Sequence, residues 1–216
     1  MVLLVIDGPD GSGKSTQVAY LHTRLVNEGK KVEVIKFPQY GKPSAYFVEN
    51  YLNGMYGSGE EVPAKLASMF YMLDRFDASK EIRKKLDQGI IIILDRYVSS
   101  NMAHQGGKIQ DSDEQEKFLS WLEWLEHDLA KIPKPDKVIY LHVPIQKTHN
   151  LIDTRNLKKD IHEKDKDHLS NSQKVYLELA DKNDNFQKII CTNNAGEMRT
   201  VRDINDDIYS ELLKLL

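Results

Sequence analysis

IDGPDGSGKSTQ, residues 6–17, sets three glycines and a proline around Lys14 and Ser15, directly after an apolar run. Gly8, Gly13, Lys14 and Ser15 satisfy the spacing GxxxxGK[ST], and the run VLLVID at 2–7 before it reads as a strand, with a helix-forming stretch after it. That strand-loop-helix context is what the motif requires. Glycines let the backbone curl until successive N–H groups point into one concavity, and the positive end of the following helix adds to the field there. A polyphosphate fits such a cradle: Lys14 is the compact charge for its β and γ phosphates, and the Ser15 hydroxyl is a ligand for Mg²⁺. With glycine near 7% of average usage and the other fixed residue types no commoner, roughly 0.01 chance matches are expected in a chain of this length. Gly8, Asp10, Gly11, Ser12, Gly13, Lys14, Ser15 and Thr16 are therefore the predicted ATP-binding set.

Outward from this loop, short apolar runs recur at 2–7, 32–37, 90–95, 137–143 and 188–190. Four of the five are nearly continuous in apolar residues, the pattern of strands covered on both faces, so the sheet is expected to have five strands and to be mostly parallel. Helical stretches are predicted at 14–28, 44–52, 62–88, 112–130, within 144–181 and at 200–216. Gly29 and Gly89 stand where helix C-caps belong, and Ser112 with Asp113 and Glu114 supplies an N-cap and first-turn acids. Alternation of this kind implies right-handed crossovers and a three-layer α/β domain with its ligands outside the carboxyl ends of the strands. Trp121, Trp124 and Leu125 read as one face of an amphipathic helix packed on the body.

The 216 residues fit one domain, 1–216. A net charge of −3 provides no general attraction for a nucleic acid polymer or an anionic membrane, so a bound anion must be held locally. No run approaches the roughly 18 apolar residues of a membrane span, and MVLLVIDG lacks a basic flank and cleavage site, so a cytoplasmic protein is expected. Cys191 is the sole cysteine, which excludes an intrachain disulfide.

At the end of the third strand, Asp95-Arg96-Tyr97 puts an acid beside the phosphate loop, where a Mg²⁺-associated carboxylate belongs, and an arginine able to bridge anions. Ser15 and Asp95 are the predicted metal pair.

DGPDGSGKST at 7–16, FPQYGKPSA at 37–45, FYMLDR at 70–75 and DRYVSSNMAHQGG at 95–107, taken together and in this order, resemble the thymidylate kinase (dTMP kinase) family of P-loop nucleoside monophosphate kinases. The resemblance covers much of the first half; beyond Pro144 it is one of layout. It implies a P-loop kinase fold with a mobile lid, and Mg²⁺-dependent transfer of a phosphoryl group from ATP to dTMP, giving dTDP and ADP. It also implies that Asp10 meets the 3′-hydroxyl of the deoxyribose, Phe70 stacks on the pyrimidine, Arg75 donates to a thymine carbonyl, Ser100 and Gln105 line the base and sugar, and Arg96 contacts the acceptor phosphate. Phe37 joins this substrate-binding set. Lys14, Arg96 and Arg155 are the catalytic candidates, Arg155 as the lid cation because Gly11 stands where some family members carry an arginine; Lys158 and Lys159 are its alternates. The lid is expected over about 146–167, the adenine over the loop around Thr192–Ala195, and a homodimer through a helical face near Ala64–Leu73.

Two departures stand out. Gln39 occupies the position of an arginine found after Phe-Pro in many relatives, with Lys42 as the candidate substitute, and His104 replaces the usual aromatic. A kinase for another nucleoside monophosphate or for a deoxynucleoside, and a nucleotide-binding module without turnover, are the alternatives.

Overall fold

A computed structural model describes residues 1–148 and 165–216. Its five strands, β1 (Val2–Asp7), β2 (Val32–Lys36), β3 (Ile91–Asp95), β4 (Lys137–His142) and β5 (Phe186–Ile190), form one sheet in the order β2-β3-β1-β4-β5. Every pairing is parallel, with Ile6 opposite Asp95 and Asp7 opposite Tyr140. The expectation of a mostly parallel sheet becomes a wholly parallel one.

All six residues of β1 are buried, because it is the middle strand and both its faces are covered. On one face, Leu4 and Ile6 pack with Leu21 and Leu25 of α1 (Lys14–Asn27). The last helix, α7 (Val201–Leu213), closes that layer through Ile204, Ile208 and Leu212. On the other face, Leu3 and Val5 meet Met72 and Ile82 of α3 (Ala64–Asp87), Val98 of α4 (Val98–Gly106) and Phe118 and Leu122 of α5 (Ser112–Glu123). A shorter helix, α2 (Tyr46–Leu52), follows a single 3₁₀ turn at Pro43–Ala45, and α6 spans Lys166–Lys182. These layers are the three-layer α/β arrangement the alternation implied.

Three local details differ from the sequence reading. Helix α4 was not among the predicted helices; its VSSNMAHQG composition, rich in small polar residues, carries no strong apolar period, and packing against α3, α5 and α6 decides it. Asp111, not Ser112, caps α5, its carboxylate accepting from the Glu114 amide at 2.9 Å. Beyond Glu123 the helix widens into a π-helical turn, Trp124–Leu129. Gly29 and Gly89 do end their helices, with φ of 75° and 74°. Arg155, Lys158, Lys159 and most of the expected lid lie outside the described residues.

Candidate active site

Because β1 and β3 are parallel neighbours, the loop that leaves β1 and the Asp95-Arg96 pair that leaves β3 emerge side by side at one sheet edge. The loop holds its shape through glycine: Gly8 has φ 149°, and a Cβ there would lie 2.7 Å from the Leu141 carbonyl oxygen. Gly13, at φ 86°, is the N-cap of α1 and offers no side chain to the first amides of that helix. Those amides and the helix dipole make an anion site. Inside the loop the buried Ser12 hydroxyl has no partner.

Lys14 is buried, its Nζ donating to the Gly8 and Pro9 carbonyls at 3.0 and 2.8 Å and standing 3.6 Å from Asp10. Burial, and next the positive charge of Arg96, lower its pKa to about 8 against the pull of Asp10, Asp7 and Asp95. Ser15 Oγ donates to Asp95 Oδ2 at 2.8 Å. One hydroxyl and one carboxylate are hard oxygen donors that suit Mg²⁺, an ion that keeps waters and phosphate oxygens in its remaining positions. Among the described residues no group of three or more His, Cys, Asp or Glu side chains forms a metal cage, so the pair fits an ion delivered with a phosphate.

Arg96 stands at φ 68°, a conformation non-glycine residues rarely hold. Its guanidinium donates to Asp10 and, at 3.3 Å, to Ser100 Oγ. Behind it lies Asp7, with no exposed surface and four hydrogen bonds: from the Gly8 amide at 2.8 Å, Ser99 Oγ at 2.6 Å, Ser100 Oγ at 2.7 Å and Tyr176 OH at 2.8 Å. A buried carboxylate so satisfied fastens β1, α4 and α6 together. Lys14, Ser15, Asp10, Asp95, Arg96 and Ser100 are thus brought into one cluster.

The second half of the predicted site is a wall built by α3 and α4. Gln105 is fully buried and neither amide atom has a hydrogen-bond partner among the described residues; one turn away, Asn101 likewise leaves its Oδ1 unpartnered. Unsatisfied buried amides cost roughly 1–3 kcal/mol each, which a polar ligand would offset. Phe70 is half-buried in a ring cluster, stacked on Phe47 at 5.7 Å and tilted against Tyr56 at 5.5 Å. Arg75 is 2% exposed and forms a two-point ion pair with Glu126, Nε donating to Oε2 at 3.0 Å and Nη2 to Oε1. Phe37 is buried in the core cluster that also holds Met72 of α3 and Val98 of α4, its ring 5.7 Å from Tyr97.

Gln39 is buried against Asp74, which accepts from its backbone amide at 2.8 Å, while Lys42 Nζ reaches the Gln39 carboxamide oxygen at 2.5 Å. His104 and His168 stack between α4 and α6, with Nδ1 and Nε2 3.2 Å apart. Burial holds both rings neutral: His168 falls to about 4, with Lys108 adding to the effect, and His104 falls well below its usual value with His168 and Arg96 nearby.

Asp7, Asn101, Glu126, His168 and Tyr176 were not among the predicted residues. Glu126 had a signal: it lies one helical turn past Leu122 and beside Leu125, on the buried face of the Trp121–Leu129 segment, where an unpaired acid would be costly. Tyr176 had none, since only the tertiary fold brings it to Asp7, 169 residues away.

Comparison with known proteins places the chain in a family. The thymidylate kinase family profile matches residues 6–204. A thymidylate kinase from Schizosaccharomyces pombe is 30% identical over 141 residues, 65% of this chain and 60% of that protein, and the human thymidylate kinase is 29% identical over 66% of this chain and 61% of its own length. The matched stretch thus spans about three fifths of those two relatives. A probable thymidylate kinase from Thermococcus onnurineus is 30% identical over 99% of this chain and 100% of its own length. Among solved structures, the thymidylate kinase of Candida albicans superposes with a TM-score of 0.76, covering 99% of this chain and 92% of that one at 23% identity, which supports the fold.

Proposed function

The chain belongs to the thymidylate kinase family, and from that premise we propose that it transfers the γ-phosphoryl group of ATP to dTMP, giving dTDP and ADP. The observation that carries the reading is the meeting of two half-sites through Arg96: on one side Lys14, Ser15 and Asp95 beside the loop amides, on the other Ser100, on the same helix as the unpartnered Gln105. The donor's phosphates lie in the loop, with Lys14 leaving its own carbonyls for phosphate oxygens. Mg²⁺, held by Ser15 and Asp95, would neutralise charge between the β and γ phosphates. Arg96 exchanges part of its contact with Asp10 for the acceptor phosphate, and Asp10 then accepts from the sugar hydroxyl. The acceptor phosphate is already an anionic nucleophile, so the transfer is in-line and needs no general base; positioning and charge neutralisation supply the catalysis. Phe70 offers a ring face to the base, Arg75 and Gln105 its polar edge. Arg155 completes the site as lid cation, and the adenine lies over Thr192–Ala195.

A homodimer and a cytoplasmic setting belong to the same proposal. Leu66, Met69, Leu73 and Phe76 form an exposed apolar stripe on α3, 46%, 41%, 44% and 53% exposed, spaced for one helix face. No described helix is long and apolar enough to cross a membrane. A coupled assay with ATP, Mg²⁺ and dTMP, dUMP, dCMP, CMP and thymidine tests the activity: dTMP should be turned over fastest, and faster turnover of any other acceptor overturns the substrate assignment. Absence of turnover with all of them leaves a nucleotide-binding module.

A further inference from the structure

Three elements converge on one buried carboxylate. Glu126, on the π-helical turn that extends α5, has no exposed surface. Its Oε1 accepts from Arg75 Nη2 of α3 and, at 3.1 Å, from Asn101 Nδ2 of α4; its Oε2 accepts from Arg75 Nε at 3.0 Å. A second acceptor, the Ser68 carbonyl at 3.2 Å, holds the other side of the Asn101 amide nitrogen. Widened turns of this kind often occur where a side chain must be re-aimed for function.

The consequence is a fixed polarity. With Nε and Nη2 of Arg75 both spent on Glu126, Nη1 is the guanidinium nitrogen that the carboxylate does not engage. With Asn101 Nδ2 spent on two acceptors, its carboxamide cannot turn over, and the buried Oδ1, which has no partner among the described residues, is the atom left to accept. Because Arg75 and Asn101 both donate to Glu126 Oε1, the donor left on one residue and the acceptor left on the other are held near each other. That pair complements a carbonyl next to a ring N–H, the edge of thymine and uracil; cytosine presents an amine next to a bare ring nitrogen and would meet donor with donor and acceptor with acceptor.

We propose that Glu126 is a positioning residue that sets this donor–acceptor order, and so makes the acceptor site accept a 4-oxo pyrimidine and reject a 4-amino one. The proposal rests on the reading that the α3–α4 wall faces the acceptor base. Replacing Glu126 by glutamine keeps the shape but removes the charge that holds Arg75. It also adds an N–H donor, so the Asn101 amide gains a second orientation with its nitrogen in the place of Oδ1. Loss of polarity should then appear as relaxed base choice, not simply as lost activity.

The experiment measures kcat and KM for dTMP, dUMP and dCMP at saturating ATP and Mg²⁺ in wild type, Glu126→Gln and Glu126→Asp, with the melting temperature of each. The expected result is that Glu126→Gln lowers the dTMP-to-dCMP ratio of kcat/KM by at least about tenfold, the effect of one mismatched buried hydrogen bond. KM for ATP should be unchanged, and Glu126→Asp, which keeps the charge, should retain more of the ratio. A purely structural role would lower Tm and depress all acceptors by one factor; an unchanged ratio in Glu126→Gln overturns the proposal while leaving dTMP kinase activity standing. Wild type that does not turn over dTMP overturns the activity reading itself, and this proposal with it.

Discussion

Ser15 Oγ and Asp95 Oδ2 are 2.8 Å apart although 80 residues separate them in the chain. The hydroxyl sits in the first turn of α1 and the carboxylate at the end of β3, and the parallel pairing of β1 with β3 joins them. If the two hold Mg²⁺, Asp95→Asn should raise the Mg²⁺ concentration for half-maximal activity by roughly 10–100-fold, with the melting temperature of the metal-free protein little changed. A Mg²⁺ titration of initial rates checks it; an unaltered Mg²⁺ requirement rules this pair out.

Lys14→Ala should lower kcat by roughly 10²–10³-fold, the loss seen when one preorganised charge-stabilising donor is removed. The free enzyme carries a second signature. With its pKa lowered to about 8 by burial, Lys14 loses its charge as the pH rises through that value, so the KM for ATP should climb above pH 8 and be flat below it. The pH profile of kcat/KM for ATP reports this directly, and a profile flat to pH 9 contradicts it.

The His104–His168 stack should make the protein sensitive to mild acid. His168 titrates near 4 in the folded state, against 6.5 for the ordinary side chain, because it is buried beside Lys108, with Asp165 opposing. The unfolded chain therefore binds more protons between those values, and stability that is present above pH 6.5 is lost as pH falls toward 4, by up to about 3 kcal/mol for this one group. His104, with Arg96 and Lys14 nearby and Asp10 opposing, shifts in the same direction. Denaturant melts at pH 7.5 and 5.0 should differ accordingly, and His168→Gln should flatten the difference.

Lys42, held by the Gln39 carboxamide in the segment after β2, is the candidate for the cation that the residue after Phe-Pro lacks. The Phe37 amide donates to the Asp95 carbonyl at 3.0 Å, which ties this segment to the Asp95-Arg96 edge. Lys42→Ala should raise the KM for dTMP about tenfold, the weight of one charge-assisted contact, with the KM for ATP unchanged. Gln39→Arg in that background should recover most of the loss. Equal KM values for dTMP in wild type and Lys42→Ala would remove Lys42 from the acceptor site.

The phosphate loop was legible because its chemistry is local: Gly8, Gly13, Lys14 and Ser15 act within eight residues, and the backbone freedom they need is written in residue type. The parallel sheet was legible for a related reason, since a strand buried on both faces, such as β1, is apolar along nearly all its length, with the hydrogen-bonded Asp7 only at its end. Family likeness then extended the reading to Asp10, Arg75, Arg96, Ser100 and Gln105, and named Phe37 as well, whose ring the fold puts in the core.

The glycine-rich loop, the layered α/β plan and the family can all be read from residue order alone. Which charges answer one another follows from the packed layers instead: Glu126 holds Arg75, Tyr176 and Ser99 satisfy Asp7, and His168 lies on His104. The reason is physical. A glycine's permissive backbone or a strand's apolar run is a property of the residue and its neighbours in the chain, whereas the cost of a buried charge depends on which partner, from an element tens to more than a hundred residues away, the packed layers bring within hydrogen-bonding distance.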